Sequence, residues 1–452
     1  MMFEQHVSFL HFQISNYKTS WILVKQLSMS SPLFIIIFTL LSTLIQAQDL
    51  GVPTSWRKFN NSRPRNERIS IAQSAIDTIL PQLDTSNAQF KGIGYWQSGN
   101  VFSAMANFDH LAGKKMYQDQ VTDGLQTAFN LYKNFDQFQH SALMKCVFAS
   151  CFRYNDDAMW WATAAYYAYR AYGNKTLLSM AAATWAHVSQ YVVTKEDASA
   201  GKHPNKQHKI SSKCYGKSMA GGVFWRPTVD DMSINSITTG LYVTLSAFLA
   251  EATGNATYTN AATLSAQWIQ NLQINADGII LDSVSASVCT RSSSTWLFTY
   301  NSGKFVEGLP HLLHTDAPDL RREGLSVLKD ITGQPIWKNL MTNVSAAAIK
   351  SSAWEGKNGI ITEGASRSKN NDGVGFKSIF IRGLDEVSAR SSDNNKLQIL
   401  IHSYNDVQYN ALLELAANGT SYSSAWGGPP QKFTTWGQLA ALDVMVTAIN
   451  TN

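Results

Sequence analysis

Apolar residues recur at helical spacing along most of this chain, and strict alternation of apolar and polar residues is rare. From Ile69 onward, apolar segments of helical length are separated by short polar turns, such as GGPP at 427–430. That combination is typical of helices joined by tight connections. It predicts helices over 69–84, 98–112, 117–134, 156–173, 177–193, 234–253, 257–273, 303–314, 319–331, 336–352, 373–390, 397–417 and 434–449.

One stretch of the chain has a weak internal repeat. AYGNKTLLSMAAATW at 171–185 is similar to ATGNATYTNAATLSAQW at 252–268. Each reads as a helix end, a Gly-Asn turn and an alanine-rich helix that ends in tryptophan. Repeated helical hairpins form either an open solenoid or a closed ring of paired helices.

The segment from Ala158 to Tyr169 separates these two architectures. Apolar residues occupy nearly every position of it, so both sides of this helix should be buried. An inner helix of a double ring is covered on both sides, whereas a helix of a single layer is not. We therefore expect one all-α domain built as a closed double ring, with polar inserts such as 194–232 gathered around a cleft at one end.

Composition excludes some partners. Charged residues make up 15% of the 452 residues, the net charge is +5, and lysine and arginine are scattered rather than arranged in a stripe, which argues against nucleic acid as a partner. Aromatic residues make up 11%, with 13 tryptophans, so some rings are expected to form surface platforms. No Cys-x-x-Cys pair or histidine-rich cluster indicates a metal site, and no cofactor is implied.

The N-terminus reads as a targeting segment. An apolar run from Leu33 to Ile45 precedes the small residue Ala47; it has the length of a signal-peptide core and is too short to span a membrane. We expect a secreted protein with a signal peptide and N-terminal extension over 1–47, a segment over 48–68 and a single domain over 69–452. The first 28 residues are read as an upstream start or a long n-region, with a signal anchor as the alternative. The C-terminus lacks a lipid-anchor signal, so we expect no stable membrane insertion.

Sequons and cysteines fit a secretory compartment. Five Asn-x-Ser/Thr sequons begin at Asn60, Asn174, Asn255, Asn343 and Asn418. Four cysteines allow three pairings. Cys146 and Cys151 are near enough to close a small loop, which would leave Cys214 to pair with Cys289. We expect a monomeric glycoprotein.

The residues with the clearest chemical content are the adjacent aspartates of YNDDAMWW, Asp156 and Asp157, at the start of the apolar helix. They can simply cap that helix, because Asp is a favourable N-cap and suits the helix dipole. One aspartate suffices for a cap, however, and two ionised carboxylates beside buried surface are costly.

The alternative is that the two aspartates act as a catalytic pair. Hydrolysis of a glycosidic bond needs one carboxyl group as acid and one as base or nucleophile, about 5–5.5 Å apart in retaining enzymes. Interaction between close carboxylates keeps one of them protonated. The residues alone leave both interpretations open.

The sequence around this pair, YNDDAMWWATAAYYAY, resembles the DD..WW signature of glycoside hydrolase family 76, the endo-α-1,6-mannanases of bacteria and fungi. Other segments follow in that family's order: YWQSGNVFSAMANF (95–108), GGVFWRP (221–227), NSITTGLYVTLSAFL (235–249), TYNSG (299–303), GIITEG (359–364) and FKSIFIRGL (376–384). The resemblance covers most of residues 90–445. It implies an (α/α)6 barrel, in agreement with the double ring inferred from the pattern.

The resemblance also implies roles for individual positions. Asp156 would be the nucleophile and Asp157 the general acid/base of a retaining double displacement. The implied substrate-binding positions are Trp96, Asn100, Tyr154, Trp160, Trp225, Tyr300, Asn301, Phe376, Lys377 and Arg382. A second acidic pair, Asp230 and Asp231, either caps the next helix or supplies a sugar-binding carboxylate, which we assign to Asp231. The forms TYNSG and FKS depart from the family's TYNQG and FKG, and Phe224 replaces a common Trp, which bears on subsite preference.

The resemblance predicts a fungal-type secreted hydrolase that cleaves α-1,6-mannosidic linkages within mannan and binds mannan or mannose-containing oligosaccharides. One alternative keeps the fold and the covalent intermediate but transfers the sugar to another glycan, as a cell-wall transglycosylase would. A second alternative is a non-catalytic protein that only binds mannan.

Overall fold

The computed structural model describes residues 48–137, 154–313, 334–366 and 370–451, and Leu50–Asn452 form one compact unit. Within the described residues the helices are α1 (Arg65–Ile79), α2 (Tyr95–Ala112), α3 (Gln118–Leu131), α4 (Asn155–Tyr172), α5 (Lys175–Ser189), α6 (Lys195–Ala200), α7 (Ser236–Thr253), α8 (Ala256–Leu272), α9 (Thr299–Leu313), α10 (Gln334–Ile349), α11 (Gly373–Ala389), α12 (Asn395–Ala411) and α13 (Thr435–Thr447). Every predicted helix in this part of the chain coincides with an observed one. The predicted helix over 319–331 lies outside it.

Six of these helices form a closed inner ring. The helices α2, α4, α7, α9, α11 and α13 pack side by side in that order, and α13 packs against α2 to close the ring. The alternating helices α1, α3, α5, α8, α10 and α12 pack outside it. The prediction of an all-α (α/α)6 barrel is confirmed.

Glycines let the inner helices α9 and α11 approach closely. A Cβ atom on Gly303 would lie 2.5 Å from the Cα of Phe380, and one on Gly383 would lie 2.2 Å from the carbonyl oxygen of Gly303. Both distances are far inside van der Waals contact, so any side chain here would push the two helices apart. Inner helices are covered on both sides as a result: every residue of α7 from Ser236 to Ala250 is buried.

The internal repeat marks two equivalent corners of the barrel. Gly173 and Gly254 end α4 and α7 in the left-handed conformation, with φ of 72° and 68°. The next residues, Asn174 and Asn255, each accept a hydrogen bond from the backbone N–H two positions on and so begin α5 and α8. The internal repeat therefore corresponds to the turn that joins an inner helix to the next outer helix.

Short two-stranded ladders lie in the connections between the described helices. These are β1 (Leu83–Asp84) with β2 (Gln89–Phe90), β3 (Lys213–Cys214) with β4 (Lys217–Ser218), β5 (Ser233–Asn235) with β6 (Ser283–Ser285), and β7 (Ala417–Asn418) with β8 (Ser421–Tyr422). The prediction that a helix begins at residue 234 is wrong by two residues, because 233–235 pair with the loop before α9 instead.

One predicted disulfide is present in the structure. Cys214 is bonded to Cys289, across a sequence separation of 75 residues, and ties the 194–232 insert to the loop that follows β6. The other predicted pair, Cys146 and Cys151, lies outside the described residues, as does the predicted signal peptide. Across the described ranges, none of the helices has the length and apolar character needed to cross a membrane.

Candidate active site

The inner helices begin at one end of the barrel, where their first turns bring aromatic side chains together. Trp96 of α2 stacks on Trp160 of α4, with ring centroids 5.4 Å apart, and on Phe376 of α11 at 6.1 Å. Phe376 in turn stacks on Tyr300 of α9 at 3.9 Å and meets Phe298 edge-on at 5.5 Å. We call these five rings the aromatic row. Four of them were predicted to bind substrate; Phe298 was not.

Asp156 and Asp157 lie in the first turn of α4, beside this row. The N-cap position is occupied by Tyr154, whose side chain makes no capping hydrogen bond, so neither aspartate is the N-cap residue. Asp156 is 9% exposed, and its Oδ1 atom has no hydrogen-bond partner among the described residues. The simple capping interpretation therefore does not account for the pair.

The loop that contains Trp225 holds the start of α4 in place. The side-chain amide of Asn155 donates to the carbonyl of Phe224 at 2.8 Å, and the backbone N–H of Asn155 donates to the carbonyl of Trp225 at 2.9 Å. The Trp225 side chain favours the ionised form of Asp156 and so lowers its pKa, and the Trp225 ring packs on Tyr154 at 4.8 Å. Asn155 is thus a site residue that the sequence did not single out.

The two aspartates have raised pKa values. Burial raises the pKa of Asp156 to about 7, despite hydrogen bonds from Trp225 and from two backbone N–H groups that favour the ionised form. Burial, and then the negative charges of Asp156, Asp372 and Asp136, hold the pKa of Asp157 well above its usual range. Adjacent carboxyl groups in such a place share protons as a pair, so one is protonated while the other is ionised near neutral pH.

Two acidic residues that the sequence did not indicate face the pair. Asp372, immediately before α11, accepts a hydrogen bond from the Gln97 side chain at 2.6 Å. Asp136 lies 3.1 Å from His187 of α5. Asp136 lies 20 residues before Asp156, and Asp372 lies far along the chain. Neither carries a motif of its own, and the fold brings both near Asp157.

A further buried carboxylate lies next to Tyr300. Asp282 is 7% exposed, burial raises its pKa, and Asn301 donates to it at 3.3 Å. Asn301 is fully buried, and its Oδ1 atom has no partner in the described part of the chain. The pKa of Tyr300 is raised by burial first, then by Asp282 and Asp156. The sequence does not single out Asp282, because this residue lies in an irregular loop and has no acidic residue beside it.

Asp231, predicted to bind sugar, is engaged with its own loop. Its carboxylate accepts from the backbone N–H of Ser233 at 2.8 Å and lies 3.4 Å from Arg226, whose guanidinium sits 5.5 Å from the Tyr154 ring. Lys206 donates to three carbonyl groups of the same loop, each at 2.7 Å. Asp231 is thus part of the loop that supports Tyr154. A contact between Asp231 and sugar stays a prediction.

Three other predicted substrate-binding residues are buried in the barrel wall. Arg382 makes two bonds to Asp443, at 2.9 and 2.8 Å, and a third to the Asn100 side chain at 2.7 Å. Lys377 donates to the carbonyl groups of Glu363 and Ser424 at 2.8 and 2.7 Å. Because these groups are 0–1% exposed and bonded to protein, the structure supports positioning roles for them.

Glu363 connects two of the cleft helices. Its carboxylate accepts from the backbone N–H of Thr299 at 2.9 Å and from the Thr299 hydroxyl, at the start of α9. Burial raises its pKa to about 7 and lowers that of Lys377 to about 7. Glu363, in the GIITEG segment, thus links Lys377 of α11 to the first turn of α9, which contains Tyr300. In the described ranges no group of three or more His, Cys, Asp or Glu side chains is arranged to hold a metal ion.

Comparison with known proteins agrees with this arrangement. The family model described as Glycosyl hydrolase family 76 matches residues 70–201 and 204–317. Mannan endo-1,6-alpha-mannosidase DCW1 of Saccharomyces cerevisiae is 23% identical over 405 residues, which cover 84% of this chain and 79% of that protein.

Solved structures share the fold. The GH76A alpha-1,6-mannanase of Salegentibacter sp. HEL1_6 is 14% identical, with a TM-score of 0.65 over 85% of this chain and 100% of that one. An inactive variant of the same enzyme, in complex with alpha-1,6-mannotriose, has a TM-score of 0.65 at 13% identity, over 85% and 100% of the two chains. Dfg5 from Chaetomium thermophilum, in complex with glucosamine, is 14% identical, with a TM-score of 0.63 over 87% and 92% of the two chains.

Proposed function

Because the chain belongs to glycosyl hydrolase family 76, we propose that it is a retaining glycosidase that cleaves α-1,6-mannosidic linkages within mannan. The observation that carries this proposal is the pair Asp156 and Asp157 in the first turn of α4. Both are held by burial at raised pKa values, next to a row of aromatic rings. A carboxylate and a carboxylic acid side by side are what a double displacement at a sugar requires.

The reaction follows from the two protonation states. Ionised Asp156 attacks the anomeric carbon while Asp157 gives its proton to the leaving glycosidic oxygen, so that a glycosyl ester of Asp156 forms and the first product departs. Asp157, now ionised, then takes a proton from water, whose oxygen attacks the anomeric carbon and releases Asp156. Two inversions leave the product with the α configuration of the substrate.

The relatives support the choice of linkage and substrate. The curated relative is named as an endo-acting α-1,6-mannosidase, and a solved relative binds alpha-1,6-mannotriose. The half-buried rings of the aromatic row offer flat apolar surfaces of the kind on which sugar rings pack, and the carboxylate of Asp282, next to Tyr300, is a hydrogen-bond acceptor.

We also propose that the protein acts outside the cell as a monomeric glycoprotein with a signal peptide over residues 1–47 and a single catalytic domain over 69–452. Asn60, Asn255 and Asn418 are exposed, as accepting a glycan requires. Asn343 lies within α10, and the Ser345 of its sequon is fully buried, which makes it the weakest acceptor of the five.

A second candidate function is transglycosylation through the same covalent intermediate. The structural relative Dfg5 was solved with glucosamine, an amino sugar that could act as an acceptor in place of water. This candidate differs from hydrolysis only in the second step, so the two are separated by the product that is formed.

The test is incubation with linear α-1,6-mannan and its oligosaccharides, with the anomer released first followed by proton NMR. We expect shorter mannooligosaccharides with the α anomer appearing first; release of the β anomer first would exclude retention. Products longer than the substrate, or mannosyl adducts of an added glucosamine-containing glycan, would favour transfer. Binding of mannan with no product of either kind would favour a binding protein.

A further inference from the structure

Eight large apolar side chains are exposed in the described part of the chain, and the four most exposed belong to two of its loops. Among the described residues, Tyr215, Val229, Val288 and Trp296 are 58%, 56%, 69% and 54% exposed, and all four lie in the 194–232 insert or in the loop before α9. Trp296 is the only tryptophan among them. Every other described tryptophan is buried or half-buried. An indole left in water on a folded surface is an unusual feature, and such rings are enriched at binding sites.

Trp296 lies close to the aromatic row along the chain. It lies two residues before Phe298, so their Cα atoms are at most about 7 Å apart. Phe298 meets Phe376 and Tyr300 edge-on, at 5.5 and 6.0 Å. An exposed indole therefore stands within a short distance of Phe298, which contacts two other rings of the aromatic row.

The loop under Trp296 is fixed on both sides. Its backbone N–H donates to the carbonyl of Ser293 at 2.9 Å, and Ser292 donates to the carbonyl of Ser283 in β6 at 3.0 Å. On the other side, Thr299 is bonded to Glu363. A ring presented on a tied loop loses little conformational entropy when a ligand covers it. The hydroxyl groups of Ser293 and Thr295, bonded to each other at 2.8 Å, add polar partners on the same loop.

We propose that Trp296 is a distal binding platform for a long glycan chain, on which a sugar unit several positions from the cleaved bond packs its apolar face. The proposal rests on the proposed function, because it assumes that the cleft takes α-1,6-linked mannan. It adds that the chain leaves the cleft over the loop before α9. A platform of this kind stabilises binding of polymer while leaving short substrates, which end before reaching it, unaffected.

The experiment compares Trp296→Ala with the parent protein on two substrates, α-1,6-mannotriose and linear α-1,6-mannan. We expect the KM for mannan to rise about 10-fold, the cost of one truncated aromatic anchor, with kcat/KM for the trisaccharide unchanged within about twofold. Trp296→Tyr, which keeps an aromatic face, should restore most of the affinity for mannan. Val288→Ala, which changes another exposed apolar residue of the loop before α9, serves as the matched control and should change neither value.

Calorimetric binding of mannan separates this inference from the proposed function. In the Asp156→Asn background, which removes the nucleophile, mannan should bind about 10-fold more weakly when Trp296→Ala is added. Equal affinity with and without Trp296, or an equal loss on the trisaccharide, would overturn the platform while leaving the glycosidase proposal intact. Absence of any mannan binding or turnover by the parent protein would overturn both.

Discussion

The side chain of Trp225 lowers the pKa of the Asp156 carboxyl group, although the two residues belong to different elements of the chain. The backbone carbonyl of Trp225 also accepts a hydrogen bond from the backbone N–H of Asn155. The loop therefore fixes both the direction of α4 and the direction of the Asp156 carboxylate. An N–H donor aimed at a carboxylate stabilises its ionised form and works against the burial that favours the neutral form. Trp225 therefore helps to keep Asp156 ionised, as a nucleophile must be.

Replacing Trp225 by Phe should shift the pH dependence of the reaction. The substitution keeps a ring against Tyr154 but removes the donor, so the pKa of Asp156 should rise further, by about one unit for a hydrogen bond to a charged group. At pH 5–6 the ionised fraction and kcat/KM should then fall more than at pH 8. The measurement is a pH profile of kcat/KM. Trp185→Phe is the matched control, because the Trp185 indole donates to Ser246 on an outer face; equal profiles for the two variants would contradict the role of Trp225.

The two aspartates should fail in different ways. Asp156→Asn should lower kcat on every substrate by at least about 10³-fold, because no covalent intermediate can form. Asp157→Ala should lower kcat by about 10²–10⁴-fold on mannooligosaccharides, whose leaving oxygen needs a proton, and much less on an aryl mannoside with a good leaving group. Steady-state kinetics on both substrate types test this. An Asp157→Ala protein that is impaired equally on both would contradict the assignment of Asp157 as the acid.

Asp156→Asn should also stabilise the protein at high pH. The pKa of Asp156 is raised from 3.8 to about 7 on folding, so burial of the ionised form costs stability as the pH rises through this interval. Removing the charge should raise the free energy of unfolding by about 1–3 kcal/mol at pH 8 and by little at pH 4. Denaturant unfolding at the two pH values measures the difference. Asp277→Asn, at an exposed turn, is the control; a gain of the same size at pH 4 would point to another cause.

Arg382 should matter for folding rather than for sugar contact. Its guanidinium is fully buried against Asp443 and Asn100, and removal of one partner leaves a buried charge unpaired. We expect Arg382→Met to lower the free energy of unfolding by about 3–5 kcal/mol, and the double change Arg382→Met with Asp443→Leu to lower it less. Urea titrations test this. A well-folded Arg382→Met protein with normal stability and a raised KM would instead support the sugar-binding role.

The disulfide should stabilise the insert that carries Trp225. Closing a loop of this separation restricts the unfolded chain, and the entropy model gives about 4 kcal/mol for it. Cys214→Ala with Cys289→Ala should therefore lower the melting temperature and, because the insert supports Tyr154 and Asp156, lower kcat/KM at temperatures well below melting. Scanning calorimetry and kinetics at 25 °C measure the two effects. Reductant should lower the stability of the parent protein by at least as much, and should have a much smaller effect on the double variant.

The pattern of apolar residues predicted the helices well because the double ring buries each inner helix on all sides. α7 is an example: its apolar and small residues run without interruption, and all of them from Ser236 to Ala250 are buried. Boundaries were less accurate where tertiary contacts decide them. α9 begins at Thr299 rather than 303, because Glu363 satisfies the backbone of its first turn. α2 begins at Tyr95 rather than 98, because the Trp96 side chain packs into the aromatic row.

The candidate site was predictable only where its residues carry local signals. Two adjacent acids before an apolar helix drew attention to Asp156 and Asp157, and the resemblance supplied Trp96, Tyr300 and Phe376. Asp372, Asp136 and Asp282 act through distances set by ring closure, which no local pattern encodes. The resemblance did not distinguish residues that would contact substrate from residues that support the barrel wall. Lys377, Arg382 and Asn100, all expected to bind substrate, are buried.

Closure of the inner ring has a consequence for the order in which this chain becomes active. The proposed catalytic pair is synthesised before the middle of the sequence, but Phe376 and Asp372 arrive late, and α13 must pack against α2 before the wall is continuous. Domains generally fold as units. A nascent chain that lacks its last inner helix would therefore carry every reacting carboxyl group and still be inert, so that catalysis begins only when synthesis of the chain is nearly finished.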